Sequence, residues 1–175
     1  MEVLIVVDMQ NDFITGSLGT PEAEIILPKV VKRVEAANLL NEFVIYTQDT
    51  HGYNYFDTQE GELLPVKHCQ YMTEGWKIPA ELDELPHEFI MKETFGSEHL
   101  ANVLKQHERE LNEEIDRIEL CGLCTDICVV TNALLLKTAF PEVEIVVRAE
   151  LCAGVTPEKH NAALEVMKSC QINVI

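Results

Sequence analysis

Three short segments of this chain carry side chains suited to moving a proton and forming a covalent bond. In Val6-Val7-Asp8-Met9-Gln10-Asn11-Asp12-Phe13 an acid, Asp8, ends an apolar run. A carboxylate at the end of a buried strand is short of water, which raises its pKa toward the range of a proton carrier. Phosphatases with an Asp nucleophile need a second acid two residues on, and Gln10 is not one. In Ile90-Met91-Lys92-Glu93-Thr94-Phe95-Gly96-Ser97, Lys92 follows a second apolar run and can reach the same crevice. The third segment is Leu120-Cys121-Gly122-Leu123-Cys124-Thr125-Asp126-Ile127-Cys128. There Gly122 permits a tight turn, Thr125 or Asp126 can cap the helix that follows, and Cys128 falls in its first turn. The helix dipole and free N–H groups at that place lower a thiol pKa and can bind a developing oxyanion. Taken singly, Asp8 also reads as an acid capping the next turn, Lys92 as a solvated lysine and Cys121 as a packing residue. The Cys121-x-x-Cys124-x-x-x-Cys128 spacing lacks the second cysteine pair that a metal or cluster site needs.

A fourth group lies within residues 48–77. Asp49 and His51, two apart on an extended segment, point to one side. With His68 of Pro65-Val66-Lys67-His68 they form a nitrogen and oxygen set that suits Zn²⁺, and also Fe or Mn. The alternative is that these are loop residues making local hydrogen bonds. His87, His99, His107 and His160 fall at strand starts or helix faces and read as structural.

The elements that must position these residues follow from hydrophobic periodicity. Glu2–Val7, Phe43–Thr47, His87–Met91, Ile115–Cys121, Val143–Val147 and Ile172–Ile175 are short apolar runs that predict strands. Between them, helical spacing predicts helices over 21–42 (opened by Pro21 and interrupted near Pro28), 97–111 with Ser97 as N-cap, 126–140 and 157–170. Buried-type strands alternating with helices predict an α/β fold, a parallel sheet with helices on both faces. In such sheets ligands bind off the carboxyl ends of the strands. The irregular stretch 48–77 is long enough to predict a functional loop.

The chain has 175 residues, enough for one sizeable core, and the expectation is one domain over 1–175. Its hydrophobic share of 47% and charged share of 25% are those of a folded globular protein. A net charge of -17 argues against nucleic acid as a partner, because phosphate binding needs a basic surface. No apolar run is long enough to span a membrane or serve as a signal peptide, so a cytoplasmic protein is expected. The six cysteines are then expected as free thiols.

The segments around Asp8, Lys92 and Cys128 together resemble the signature motifs of the isochorismatase-like cysteine hydrolases. The match runs in order from residue 3 to roughly 140. The resemblance implies a three-layer sandwich with a six-stranded, mostly parallel sheet in the order 3-2-1-4-5-6. It also implies an Asp8–Lys92–Cys128 triad, oxyanion donors at the backbone of Cys124 and Cys128, and a cis Leu123–Cys124 peptide. Within that superfamily the loop is most similar to the nicotinamidase branch, which has an Asp-x-His pair, a later His and an intervening fourth ligand. Glu60 fits that fourth place, with Asp57 in reserve and Glu62 behind it. The implied activity is a metal-dependent amidohydrolase converting nicotinamide to nicotinate and ammonia through a cysteine thioester, with Phe13 and Leu64 against the substrate ring. Leu64 replaces an aromatic residue frequent in that branch, Met72-Thr73 stands where Gly-Thr is usual, and Cys124 stands where alanine is common. Another small amide is therefore an alternative substrate, and a catalytically silent α/β scaffold an alternative role. The expected partners are a small-molecule amide and further copies of the chain in a homo-oligomer.

Overall fold

The computed structural model describes residues 1–175. Its strands are β1 (Glu2–Val7), β2 (Phe43–Asp49), β3 (Glu88–Lys92), β4 (Arg117–Leu123), β5 (Glu144–Ala153) and β6 (Asn173–Val174). The helices are α1 (Asn11–Ile14), α2 (Pro21–Leu39), α3 (Gln59–Leu63), α4 (Ala80–Asp83), α5 (Glu98–Leu111), α6 (Val130–Ala139) and α7 (Pro157–Ser169). The strands form one sheet in the order β3-β2-β1-β4-β5-β6, and every pairing is parallel. Helix α2, with α4 against it, packs on the sheet, while α5, α6 and α7 pack in a row with one another. None of the helices is long and apolar enough to cross a membrane.

The central strand explains the arrangement. Val3 to Val7 are all buried, as a strand covered on both faces requires. Each such aliphatic side chain contributes about 1.5–3 kcal/mol on burial, so β1 anchors the core. After β3 the chain crosses back to place β4 on the other side of β1. That reversal opens a crevice at the carboxyl ends of the inner strands, the usual ligand site of open α/β sheets.

Local features depart from the sequence reading in instructive ways. Helix α2 runs unbroken through Pro28. Pro28 and Glu24, whose carbonyl loses its helical partner, are both exposed, so water can take the place of the missing N–H. Ser97 stands at the N-cap of α5 without a side-chain cap. Its backbone N–H donates to Asn132 Oδ1 at 2.9 Å. Neither Thr125 nor Asp126 caps a helix, because Thr125–Val129 winds as a π-turn that continues into α6. Side-chain caps occur at Thr20, Thr58 and Thr156. Strand β5 extends to Ala153, past the apolar run that marks its start, and β6 is only two residues long. The 48–77 stretch is not featureless: it holds a short 3₁₀ turn at Tyr55–Asp57 and helix α3.

Candidate active site

Four strands deliver the chemistry-bearing residues to one edge of the sheet. Asp49 and Lys92 are register partners at the ends of β2 and β3. Val7 pairs with Thr47 on one side and Gly122 on the other, so the residues that follow emerge at one level. Asp8 turns sharply there with φ 46°, a left-handed conformation that Asp tolerates better than most residues. Gly122 has φ 113°, and a Cβ on it would collide with the Val7 backbone. Only glycine lets β4 come this close to β1 at the crevice.

Lys92 lies at the centre. Its Nζ is 2.7 Å from Asp8 Oδ2, 3.2 Å from Asp49 Oδ1 and 3.5 Å from Cys128 Sγ. Asp8 is fully buried, and Thr47 Oγ1 donates to its Oδ1 at 2.6 Å. Asp8 Oδ2 receives no well-aligned hydrogen bond despite its closeness to Lys92. Burial pushes the Asp8 carboxyl above its ordinary range, and the Lys92 charge only partly offsets this. Burial works against the Lys92 charge, but Asp8, Cys128 and Asp49 outweigh it and hold the ammonium proton firmly. Burial, with Asp8 beside it, also raises the Cys128 thiol well above its usual range. Burial thus favours the neutral thiol at Cys128 over the thiolate.

The turn carrying Cys128 is clamped from several sides. Thr125 Oγ1 lies 2.8 Å from His160 Nδ1, and Asp126 Oδ1 accepts the Val155 N–H at 2.9 Å. Asn132 Nδ2 donates to the Cys128 carbonyl at 2.8 Å and to Phe95 O at 3.3 Å. The Leu123–Cys124 peptide is cis.

Beside Asp8, Lys92 and Cys128, the residues Asp49, His51 and His68 bring one ligand atom each within 4.8 Å of one another. Asp49 Oδ2 is 2.8 Å from His51 Nε2 and 3.6 Å from His68 Nε2, and Glu60 Oε1 is 3.6 Å from both ring nitrogens. Ligands of a tetrahedral cation with bonds of about 2.1 Å stand roughly 3.4 Å apart, close to these separations. His51 Nε2 is buried and, although 2.8 Å from Asp49 Oδ2, makes no well-aligned hydrogen bond. The His68 Nδ1–H donates to Val66 O at 2.8 Å, which leaves the Nε2 lone pair facing the group. Donor types, spacing and the orphaned nitrogen all fit a divalent cation. Asp57 and Glu62 form no ion pair with either histidine, whereas Glu60 lies 3.6 Å from both.

Both groups open on a cavity of about 260 Å³ lined by Phe13, Leu64, Phe95, Cys124 and Cys128, with Asp49, Glu60 and His68 along one side. The sequence reading assigned no task to Gln10 or Asp12, although both sit in the Asp8 segment. Gln10 is fully buried and bonds both the N–H and the carbonyl of Asp49, at 2.7 and 2.9 Å, so it fixes the residue shared by the two groups. Asp12 Oδ2 accepts the Cys69 N–H at 2.8 Å and anchors the loop carrying His68. An amide and an acid a few residues past the first strand, in the same segment as Asp8, were the available signal. Of the four histidines read as structural, His87 stacks on Tyr46 and His107 on Phe43, while His160 reaches the Cys128 turn.

The sequence matches the isochorismatase domain family over residues 2–175. It is 24% identical to the nicotinamidase of Saccharomyces cerevisiae over 220 residues, covering 100% of this chain and 99% of that protein. The structure superposes on the pyrazinamidase of Pyrococcus horikoshii in complex with zinc with TM-score 0.85 and 29% identity, covering 99% of this chain and 98% of that one. The nicotinamidase/pyrazinamidase of Bacillus subtilis gives TM-score 0.82 and 28% identity, with 99% and 98% covered.

Proposed function

The chain belongs to the isochorismatase family, and from that premise and the geometry of its cavity we propose that it is a metal-dependent amidohydrolase. The proposed reaction is hydrolysis of nicotinamide to nicotinate and ammonia through a thioester on Cys128. The observation that carries this reading is the convergence of two groups on one cavity. A cysteine, a lysine and a buried acid meet an Asp-His-His set, and Lys92 Nζ touches Asp8, Cys128 and Asp49 alike. The relatives named nicotinamidase and pyrazinamidase support the substrate class, and the zinc-bound one supports the metal.

Asp49, His51, His68 and Glu60 would hold the cation, with Zn²⁺ the first choice and Fe or Mn compatible with the same donors. When bound, it supplies a Lewis-acidic contact for a basic ring nitrogen. The remaining steps belong to this chain's own side chains. Phe13 and Leu64 pack the ring and exclude water, which holds the carboxamide over Cys128 and makes the attack nearly unimolecular. Asp8 takes the Cys128 proton, and Lys92 stabilises both the carboxylate and the emerging thiolate. Sulfur adds to the amide carbon, and the oxyanion is held by the backbone N–H groups of Cys124 and Cys128, where one donor is worth about 3–4 kcal/mol. The C–N bond breaks as Asp8 returns its proton to the leaving ammonia. Water, deprotonated by Asp8, then hydrolyses the thioester.

Ammonia release from nicotinamide by the zinc-loaded protein, with metal analysis of the same sample, tests this reading. No turnover and no retained metal would sink it. One observation favours a second substrate: Lys159 lines the cavity and forms no ion pair, which suits an amide bearing a carboxylate. Faster hydrolysis of such an amide than of nicotinamide, lost in Lys159→Ala, would select that reading.

A further inference from the structure

Two of the cysteines share the cavity, and the proposed reaction uses the side chain of only one. Cys124 and Cys128 both line it, whereas Cys69, Cys121 and Cys152 are buried elsewhere and Cys170 is exposed just beyond α7. The π-turn joins the pair: Ile127 N–H and Val129 N–H both donate to the Cys124 carbonyl at 3.1 Å, so Cys124 opens the turn that carries Cys128. At a rise of about 1.5 Å per residue, positions four apart on a helix lie about 6 Å apart along its axis. That is within the Cα separation of about 4.4–6.8 Å that a disulfide spans.

We infer that Cys124 is a resolving thiol for Cys128, so that hydroperoxides switch the site off reversibly through a Cys124–Cys128 disulfide. The inference rests on Cys128 being the reactive thiol of the proposed mechanism. Lys92, 3.5 Å from the Cys128 sulfur, supports a thiolate there once Asp8 has taken the proton. That thiolate attacks the nearer peroxide oxygen and the O–O bond breaks. Cys128 becomes a sulfenic acid, and the leaving alkoxide or hydroxide takes the proton from Asp8. The Cys124 sulfur then bonds to the Cys128 sulfur, the S–O bond breaks, and the Cys124 proton departs with the hydroxyl as water. In balance, two thiols lose two electrons and the peroxide is reduced to an alcohol, or water, plus water. Hydrogen peroxide is small and neutral, so the net charge of -17 does not repel it from the cavity. Thiol exchange with a reduced dithiol restores both cysteines.

The test treats the purified full chain with hydrogen peroxide, alkylates the remaining thiols and fragments the tryptic peptide Ile118–Lys137, which holds Cys121, Cys124 and Cys128. The expected peptide has lost two hydrogens, with the bond mapped between Cys124 and Cys128, and dithiothreitol returns both mass and activity. In Cys124→Ala and Cys124→Ser, each measured against its own untreated rate, activity is lost, dithiothreitol does not restore it, and Cys128 carries two added oxygens. The inference is overturned by a wild-type Cys128 found as sulfinic acid, by a bond from Cys128 to any other cysteine, or by full recovery in the Cys124 variants. A disulfide that forms in a protein releasing no ammonia before treatment supports this inference while sinking the amidase reading.

Discussion

Asp8, just past β1, and Glu119, on the neighbouring β4, are buried carboxylates whose surroundings push them in opposite directions. Glu119, on β4, accepts from Arg33 Nε at 2.8 Å, from Arg148 Nε and Nη2 at 2.9 and 3.0 Å, and from Arg117 Nη2 at 3.1 Å. Burial opposes its charge, but Arg148 and Arg33 outweigh burial and hold its carboxyl below the usual range. Asp8 has one lysine and one hydroxyl, and one of its oxygens lacks an aligned donor. Its carboxyl is raised instead. Both are closed to solvent, at 0% and 1% exposed, but Asp8 lies deeper, has the negative Asp49 beside it and faces one lysine. Glu119 faces three arginines, so burial prevails at one carboxyl and the cations at the other. A saturated carboxylate holds structure. One left short of donors keeps the capacity to take a proton.

The largest effect should come from breaking the unsaturated side. Cys128→Ala is expected to abolish ammonia release, and Asp8→Asn to lower kcat/KM by about 10²–10⁴-fold, with the circular dichroism spectrum unchanged in both. The same carboxyl predicts a pH dependence. Asp8 must be ionised to accept the thiol proton, so kcat/KM should fall as pH drops through its raised pKa. A profile flat well below neutrality would contradict the role of Asp8.

Breaking the saturated side should cost stability and spare chemistry. Glu119→Gln leaves partly exposed arginines without their carboxylate, and about 3 kcal/mol is expected to be lost in urea unfolding at neutral pH. Because the folded pKa of Glu119 is depressed, its contribution is present above the unfolded value and disappears as pH falls through the folded one. The gap between wild type and variant should therefore close in acid, while kcat of the folded variant stays within about twofold, because Glu119 does not line the cavity.

Asp49 shares features of both carboxylates. Burial opposes its charge too, but the His51 and His68 rings and the Lys92 charge hold it well below its ordinary range. Saturating Zn²⁺ is expected to raise the wild-type Tm, with about 2.7 kcal/mol gained at a hundredfold excess over Kd, and His51→Ala should abolish most of that gain. The smallest effect sharpens the comparison. Thr47→Val removes one donor from Asp8, which raises its pKa further, so the acid limb should move to higher pH by about one unit.

Much of this was legible in the chain. Alternation of apolar runs with helical spacing indicated the α/β class, and the three segments pointed to Asp8, Lys92 and Cys128, which the structure gathers around one ammonium. The Asp49-x-His51 pair and His68 stood out because residue type and spacing already restrict what they can do together. Caps and helix ends were less legible. Thr125 turned to His160 because a tertiary partner competes with local capping, and Pro28 survived inside α2 because its face meets water.

The sequence by itself determined which side chains could move a proton, attack a carbonyl or bind a cation, since those capacities belong to residue type. It also determined that they follow strands, since hydrophobic period is local. Only the tertiary structure decided that Asp8 would lack a full set of donors while Glu119 has four, because donor counts depend on residues far apart in the chain. It likewise set Cys124 beside Cys128, since the path of the chain through the π-turn, and not its spacing alone, aims both into one cavity.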